Sequence, residues 1–233
     1  MQLPQSLKVS LFIALTATPI GTPADAQTFP VVSPSALANH VAIKGMPTIY
    51  GFRIPRVVCR AGGPDDRVAG VQFAYACGGY VNDAARPGKE NTVIIAIYNG
   101  RVDYARQVAL LRSRVDASPN RWKVHEDRDF AFTVRGRRLV LKASCHQALG
   151  VRNGPASCAL PIAANVVVVA SLAAKRPSTA AIGGGSSDDI QDANAVLAAG
   201  AIPVAEFILG ANAPAPVRPG CEGQDPIFRK KGC

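Results

Sequence analysis

Asp129-Phe130-Ala131-Phe132-Thr133-Val134-Arg135-Gly136-Arg137-Arg138-Leu139-Val140-Leu141-Lys142-Ala143 is the stretch that decides the fold class. Phe130, Phe132 and Val134 share one face of its first arm, and Leu139 and Leu141 share one face of its second. A period of two belongs to a strand, because successive side chains point to opposite faces of a sheet. Arg135-Gly136-Arg137 joins the arms and supplies a turn glycine, so the stretch reads as an antiparallel hairpin.

Further strands lie on both sides. Ala164 to Leu172, with four consecutive valines from Val166 to Val169, is expected to be a buried strand paired with Arg138 to Ser144. Thr92 to Tyr98 is almost continuously apolar, as in a central strand covered on both faces. Thr48 to Cys59 reads as extended, with Pro55 suiting an edge strand or a bulge, and Val68 to Cys77 as its hairpin partner, ended by Gly78-Gly79.

Two segments have helical spacing instead. Tyr104, Val108, Leu111 and Val115 form one stripe behind Asp103. Ile190, Ala193 and Leu197 form another, capped by Ser186 or Ser187 and stopped at Gly200. Ile202 to Leu209 follows as a strand or short helix. Strands outnumber helices and do not alternate with them. The expected fold is α+β: a mainly antiparallel sheet with two helices, stabilised by disulfides.

The chain ends set the compartment. Lys8, the apolar run Val9 to Ala17, and Ala24-Asp25-Ala26 follow the charge, core and small-x-small order of a secretory signal peptide. Residues 1–26 are therefore expected to be removed, leaving a periplasmic or secreted bacterial protein beginning at Gln27. The run Val166 to Ala174 is too short to span a bilayer, so no transmembrane segment is expected in the mature chain. Residues 27–47 read as an extended lead-in, 48–210 as a single α+β domain, and 211–233 as a Pro/Gly-rich basic tail.

All six cysteines survive cleavage and fall in three couples close in sequence. The pairing expected in an oxidising compartment is Cys59–Cys77, Cys145–Cys158 and Cys221–Cys233. None of these couples has C-x-x-C spacing, so neither metal nor cofactor is expected.

His125-Glu126-Asp127-Arg128-Asp129 is the densest ionisable cluster, with Trp122 nearby. If extended, it puts His125, Asp127 and Asp129 on one face, where an imidazole beside carboxylates can act as a general base. Solvated charge is the plainer explanation. Cys145-His146 suggests a thiol–imidazole pair, but neighbours on a strand point apart and a disulfide silences the thiol. His40 stands alone in the lead-in. Gly183-Gly184-Gly185-Ser186-Ser187 leads to a helix start but has no phosphate-binding lysine, and Asp188 and Asp189 follow it at once. No G-x-S-x-G nucleophile motif is present.

Charge is the remaining signal. The net charge is +10, and cleavage removes one base, Lys8, and one acid, Asp25, so it is unchanged. Arg135, Arg137 and Arg138 cluster at the hairpin turn, four arginines lie between Arg101 and Arg114, and Arg229-Lys230-Lys231 ends the tail. Aromatic residues are only 6% and do not interleave with these bases, which argues against a nucleic-acid groove. The expected partners are anionic envelope polymers, lipid headgroups or an acidic protein. The leading expectation is a non-enzymatic envelope-binding protein with a basic surface. The rivals are a periplasmic or secreted hydrolase built on His125, Asp127 and Asp129, and an envelope assembly or structural factor.

Overall fold

The computed structural model describes residues 30–68, 71–82, 91–117, 122–149, 155–173 and 188–211. Its strands are β1 (Val58–Ala61), β2 (Arg67–Val68), β3 (Val71–Gln72), β4 (Tyr75–Tyr80), β5 (Thr92–Ile97), β6 (Trp122–Val134), β7 (Arg137–Leu149), β8 (Pro155–Ala163) and β9 (Val166–Ala173). Its helices are α1 (Pro34–Lys44), α2 (Tyr104–Asp116) and α3 (Asp188–Ala211). Seven strands form one sheet in the order β1-β4-β5-β9-β8-β7-β6, every neighbouring pair antiparallel. β2 and β3 form a separate small hairpin. The antiparallel α+β class is as the patterning implied, with three helices among the described residues rather than two.

The hairpin forms around Arg135-Gly136, with Val134 opposite Arg137. Both turn residues have positive φ, 50° and 74°, which a two-residue turn matching the strand twist requires. The arms are longer than the alternation suggested and absorb the ionisable cluster into β6. β9 does not pair with β7. It pairs with β8 and β5, because β8, read only as part of a turn-rich connection, is itself a strand inserted between them.

The two sheet faces carry different layers. Val93, Ile95, Leu160, Val166, Val168 and Leu172 join Ile190, Val196 and Leu197 of α3 in the main core, with α1 alongside. On the other face Ala96, Tyr98, Ala159 and Val167 pack with Leu111 of α2 and with Phe73. α2 starts near Asp103 as expected, but Asp103 is its cap rather than part of its first turn, accepting from Arg106 N–H at 3.0 Å.

Glycine and proline account for four departures from expectation. Gly200 does not end the last helix; α3 runs on to Ala211 through Pro203. A Cβ at Gly200 would meet Val168 Cγ1 at 2.5 Å and Val93 Cγ2 at 3.1 Å, so this glycine serves close helix–sheet packing. Gly78 and Gly79 lie inside β4 because a Cβ there would meet the Val93 and Arg56 carbonyl oxygens at 2.5 and 2.3 Å. The stretch expected to be an extended lead-in contains α1, with Pro34 as its first residue and Gly45 at φ 70° closing it onto the Val41 carbonyl at 2.8 Å. A tight turn at Tyr50-Gly51 also breaks the expected strand from Thr48, which starts only at Val58.

Asp189–Gly210 is long and apolar enough to cross a membrane by length and composition, with a mean hydropathy of 1.6. Reading a stop at Gly200 divided this run in two and hid it. Here it is the central core helix.

Cys59–Cys77 and Cys145–Cys158 are disulfides between residues directly opposite each other in adjacent strands. They fit an oxidising, extracytoplasmic compartment. The signal-peptide reading of residues 1–26 and the Cys221–Cys233 pairing lie outside the described residues.

Candidate functional site

β6 is regular, so His125, Asp127 and Asp129 do share a face, the one covered by α2. They do not converge. His125 Nε2 lies 3.3 Å from Asp116 Oδ1 at the end of α2. Asp127 accepts from Arg112 at 2.7 Å and from the Ser144 hydroxyl. Asp129 pairs with Lys142 at 3.0 Å. The Ser144 hydroxyl, followed by the Arg112 guanidinium, holds the Asp127 carboxyl below the usual range. A carboxylate stabilised in this way is a poor proton acceptor. On the opposite face of β6, Glu126 pairs with Arg128.

Sheet position gives the cluster a physical reason. β6 is an edge strand of 13 residues, and an unpaired edge is a template for association. A run of ionisable side chains on such an edge opposes pairing with another chain.

His146 faces His125 across the ladder, with ring centroids 6.4 Å apart. It is 2% exposed, and its Nδ1 has no hydrogen-bond partner among the described residues. Burial, with His125 and Arg112 nearby, pushes its pKa down to about 4, so the ring is neutral above that pH. The same cross-strand row continues through Ser157 to Ser171, whose hydroxyls are 3.0 Å apart. Sequence reasoning singled out His146 only as the neighbour of Cys145. That thiol is tied to Cys158, and it points into the main core, away from His146.

A groove of about 400 Å³ lies between α2 and β7, bordered by Tyr104, Arg112, Asp127, Lys142 and Ser144. Its charges are consumed pairwise, as above. Tyr104 donates to the Ala159 carbonyl at 2.8 Å, and burial holds its hydroxyl protonated. No three His, Cys, Asp or Glu side chains converge as metal ligands among the described residues. His40 packs against Phe207, joining α1 to α3. The Gly183–Ser187 loop and the Trp122 side chain lie outside the described residues.

The arginines divide by environment. Arg135, Arg137 and Arg138 are exposed at the hairpin tip. A Cβ built on Gly210 would lie 3.5 Å from the Arg135 guanidinium, which therefore sits by the C-terminal end of α3, where a cation is favoured. Arg101 and Arg106 are exposed and form no ion pair with a described residue, unlike Arg60 and Arg112.

No protein-family model, curated protein or solved structure matches this chain.

Proposed function

We propose that this is an exported, non-enzymatic protein that binds anionic material of the bacterial envelope, an acidic polymer or lipid headgroups, through exposed arginines. The observation that carries the reading is the distribution of charge. The carboxylates near His125 are spent on internal partners, while Arg101, Arg106, Arg137 and Arg138 stand exposed without described carboxylate partners. With a net charge of +10, long-range attraction to a polyanion follows.

The hydrolase reading finds less support, since its three residues are held apart by separate partners. The assembly-factor reading also finds little. Among the described residues the exposed large apolar side chains are divided: Val58 and Tyr80 lie near one end of the sheet, Val140 lies on β7 near the other, Ile43 lies on α1, and Val31 and Tyr50 lie in the segments flanking α1.

Sedimentation with purified cell wall, or with vesicles containing anionic lipid, tests the reading. Binding should be strong at low salt and weaken steeply with added salt, because exposed charges are screened over about 10 Å at 0.1 M. Absence of binding at low salt would remove the proposal. Loss of a hydrolytic activity in His125→Ala, with anion binding intact, would favour the rival.

A further inference from the structure

A second groove, of about 330 Å³, lies between β3 and the connection from Tyr98 to α2. Gln72, Asn99, Arg101 and Arg106 border it, and among the described residues Asp103 is the only carboxylate on its lining. The Asp103 side chain is engaged in capping α2.

The connection that presents Arg101 is anchored at both ends to the β8–β9 turn. Tyr98 N–H donates to the Asn165 carbonyl at 2.9 Å, and Asn165 Nδ2 donates back to the Tyr98 carbonyl at 2.8 Å. Four residues later, Val102 N–H donates to the Ala164 carbonyl at 2.9 Å. Asn165 is fully buried, and Tyr98 is 3% exposed. Asn99, Gly100 and Arg101 therefore form a short arch on two fixed feet. Arg106 reaches the same groove from the first turn of α2, itself tied to the arch by the Asp103 cap. Two guanidiniums free of carboxylate partners among the described residues, carried on a backbone already ordered, can bind an oxyanion with only their side chains left to order.

From this geometry we infer that the Arg101–Arg106 groove is a phosphoryl-binding subsite. The inference rests on the envelope-binding reading and gives it a location. A phosphoryl group offers several oxygens to two planar forks, and its charge suits a groove with two cations and one carboxylate. Either a free phosphate or a phospholipid headgroup presents that chemistry.

The test uses the intact protein, Arg101→Gln/Arg106→Gln, and Arg53→Gln/Arg56→Gln as a control of equal charge, at two exposed arginines that do not border the groove. The probes are inorganic phosphate, followed by amide chemical shifts, and vesicles of phosphatidylcholine with or without phosphatidic acid. Saturable shifts confined to the arch and the first turn of α2, weakened at least tenfold in the first variant and not in the control, support a free-phosphate site. Vesicle binding that requires phosphatidic acid and falls tenfold only in the first variant supports a headgroup site. If neither probe distinguishes the two variants, the subsite is overturned. In that case, salt-sensitive sedimentation with cell wall that persists in both leaves the broader binding reading standing.

Discussion

Asn165 grips Val32 with both ends of its side-chain amide: Val32 N–H donates to Oδ1 at 2.9 Å, and Nδ2 donates to the Val32 carbonyl at 2.9 Å. The two residues are 133 positions apart, and this bond pair fastens the segment before α1 to the β8–β9 turn. Since Nδ2 also serves Tyr98, one buried amide joins three parts of the chain. Asn165→Leu would leave the Val32 N–H and two carbonyls without these partners. Each buried orphan costs about 1–3 kcal/mol, so the variant, with three, should lose at least about 3 kcal/mol in denaturant unfolding. A loss below about 0.5 kcal/mol would show that the clamp is dispensable.

His146 sets a pH dependence. Its folded pKa is about 4, below its ordinary 6.5. Between these values the unfolded chain binds more protons than the folded one, so stability falls as pH is lowered from 6.5 towards 4. The full difference is about 3 kcal/mol at most. His146→Gln should flatten the stability curve across that window. Asp127 acts lower. Its depressed pKa gives stability that is present above the ordinary carboxylate value and lost as pH falls through the folded one. An unchanged slope in His146→Gln would mean that the imidazole is not held neutral.

Gly200→Ala tests the helix–sheet contact. Alanine favours a helix by about 1 kcal/mol over glycine, but overpacking costs about 1–3 kcal/mol. With Val168 Cγ1 only 2.5 Å from the new Cβ, the clash should dominate and thermal unfolding should shift downward. A rise in Tm would show that α3 can back away from the sheet.

Cross-strand placement makes both described disulfides structural. Non-reducing peptide maps should recover Cys59–Cys77 and Cys145–Cys158, and should test Cys221–Cys233 in the same digest. Replacing either described pair by alanine should cost about 3 kcal/mol, given sequence separations of 18 and 13 residues. A crossed pattern such as Cys59–Cys145 would contradict the register.

Export has its own readout. The intact mass of protein recovered from envelope or medium should begin at Gln27. Cytoplasmic protein retaining Met1 would refute the signal-peptide reading.

Local chemistry was legible in the sequence where a short stretch determines its own shape. The alternation about Arg135-Gly136 specified a hairpin, Asp103 marked a helix start, and two close cysteine couples matched two cross-strand bridges. Pattern also showed that His125, Asp127 and Asp129 could share a face, since a strand's period of two is a local property. What that face meets is not local. Arg112, Asp116, Ser144 and Lys142 come to these side chains from α2 and β7, and only the docking of α2 decides that they are paired off one by one. Gly78, Gly79 and Gly200 read as stops because glycine ends elements in isolated chains; tertiary packing uses them for close approach instead. The arch at Arg101 is likewise invisible along the chain, because the Asn165 amide that holds it lies 67 residues from Tyr98 and is brought there by the sheet.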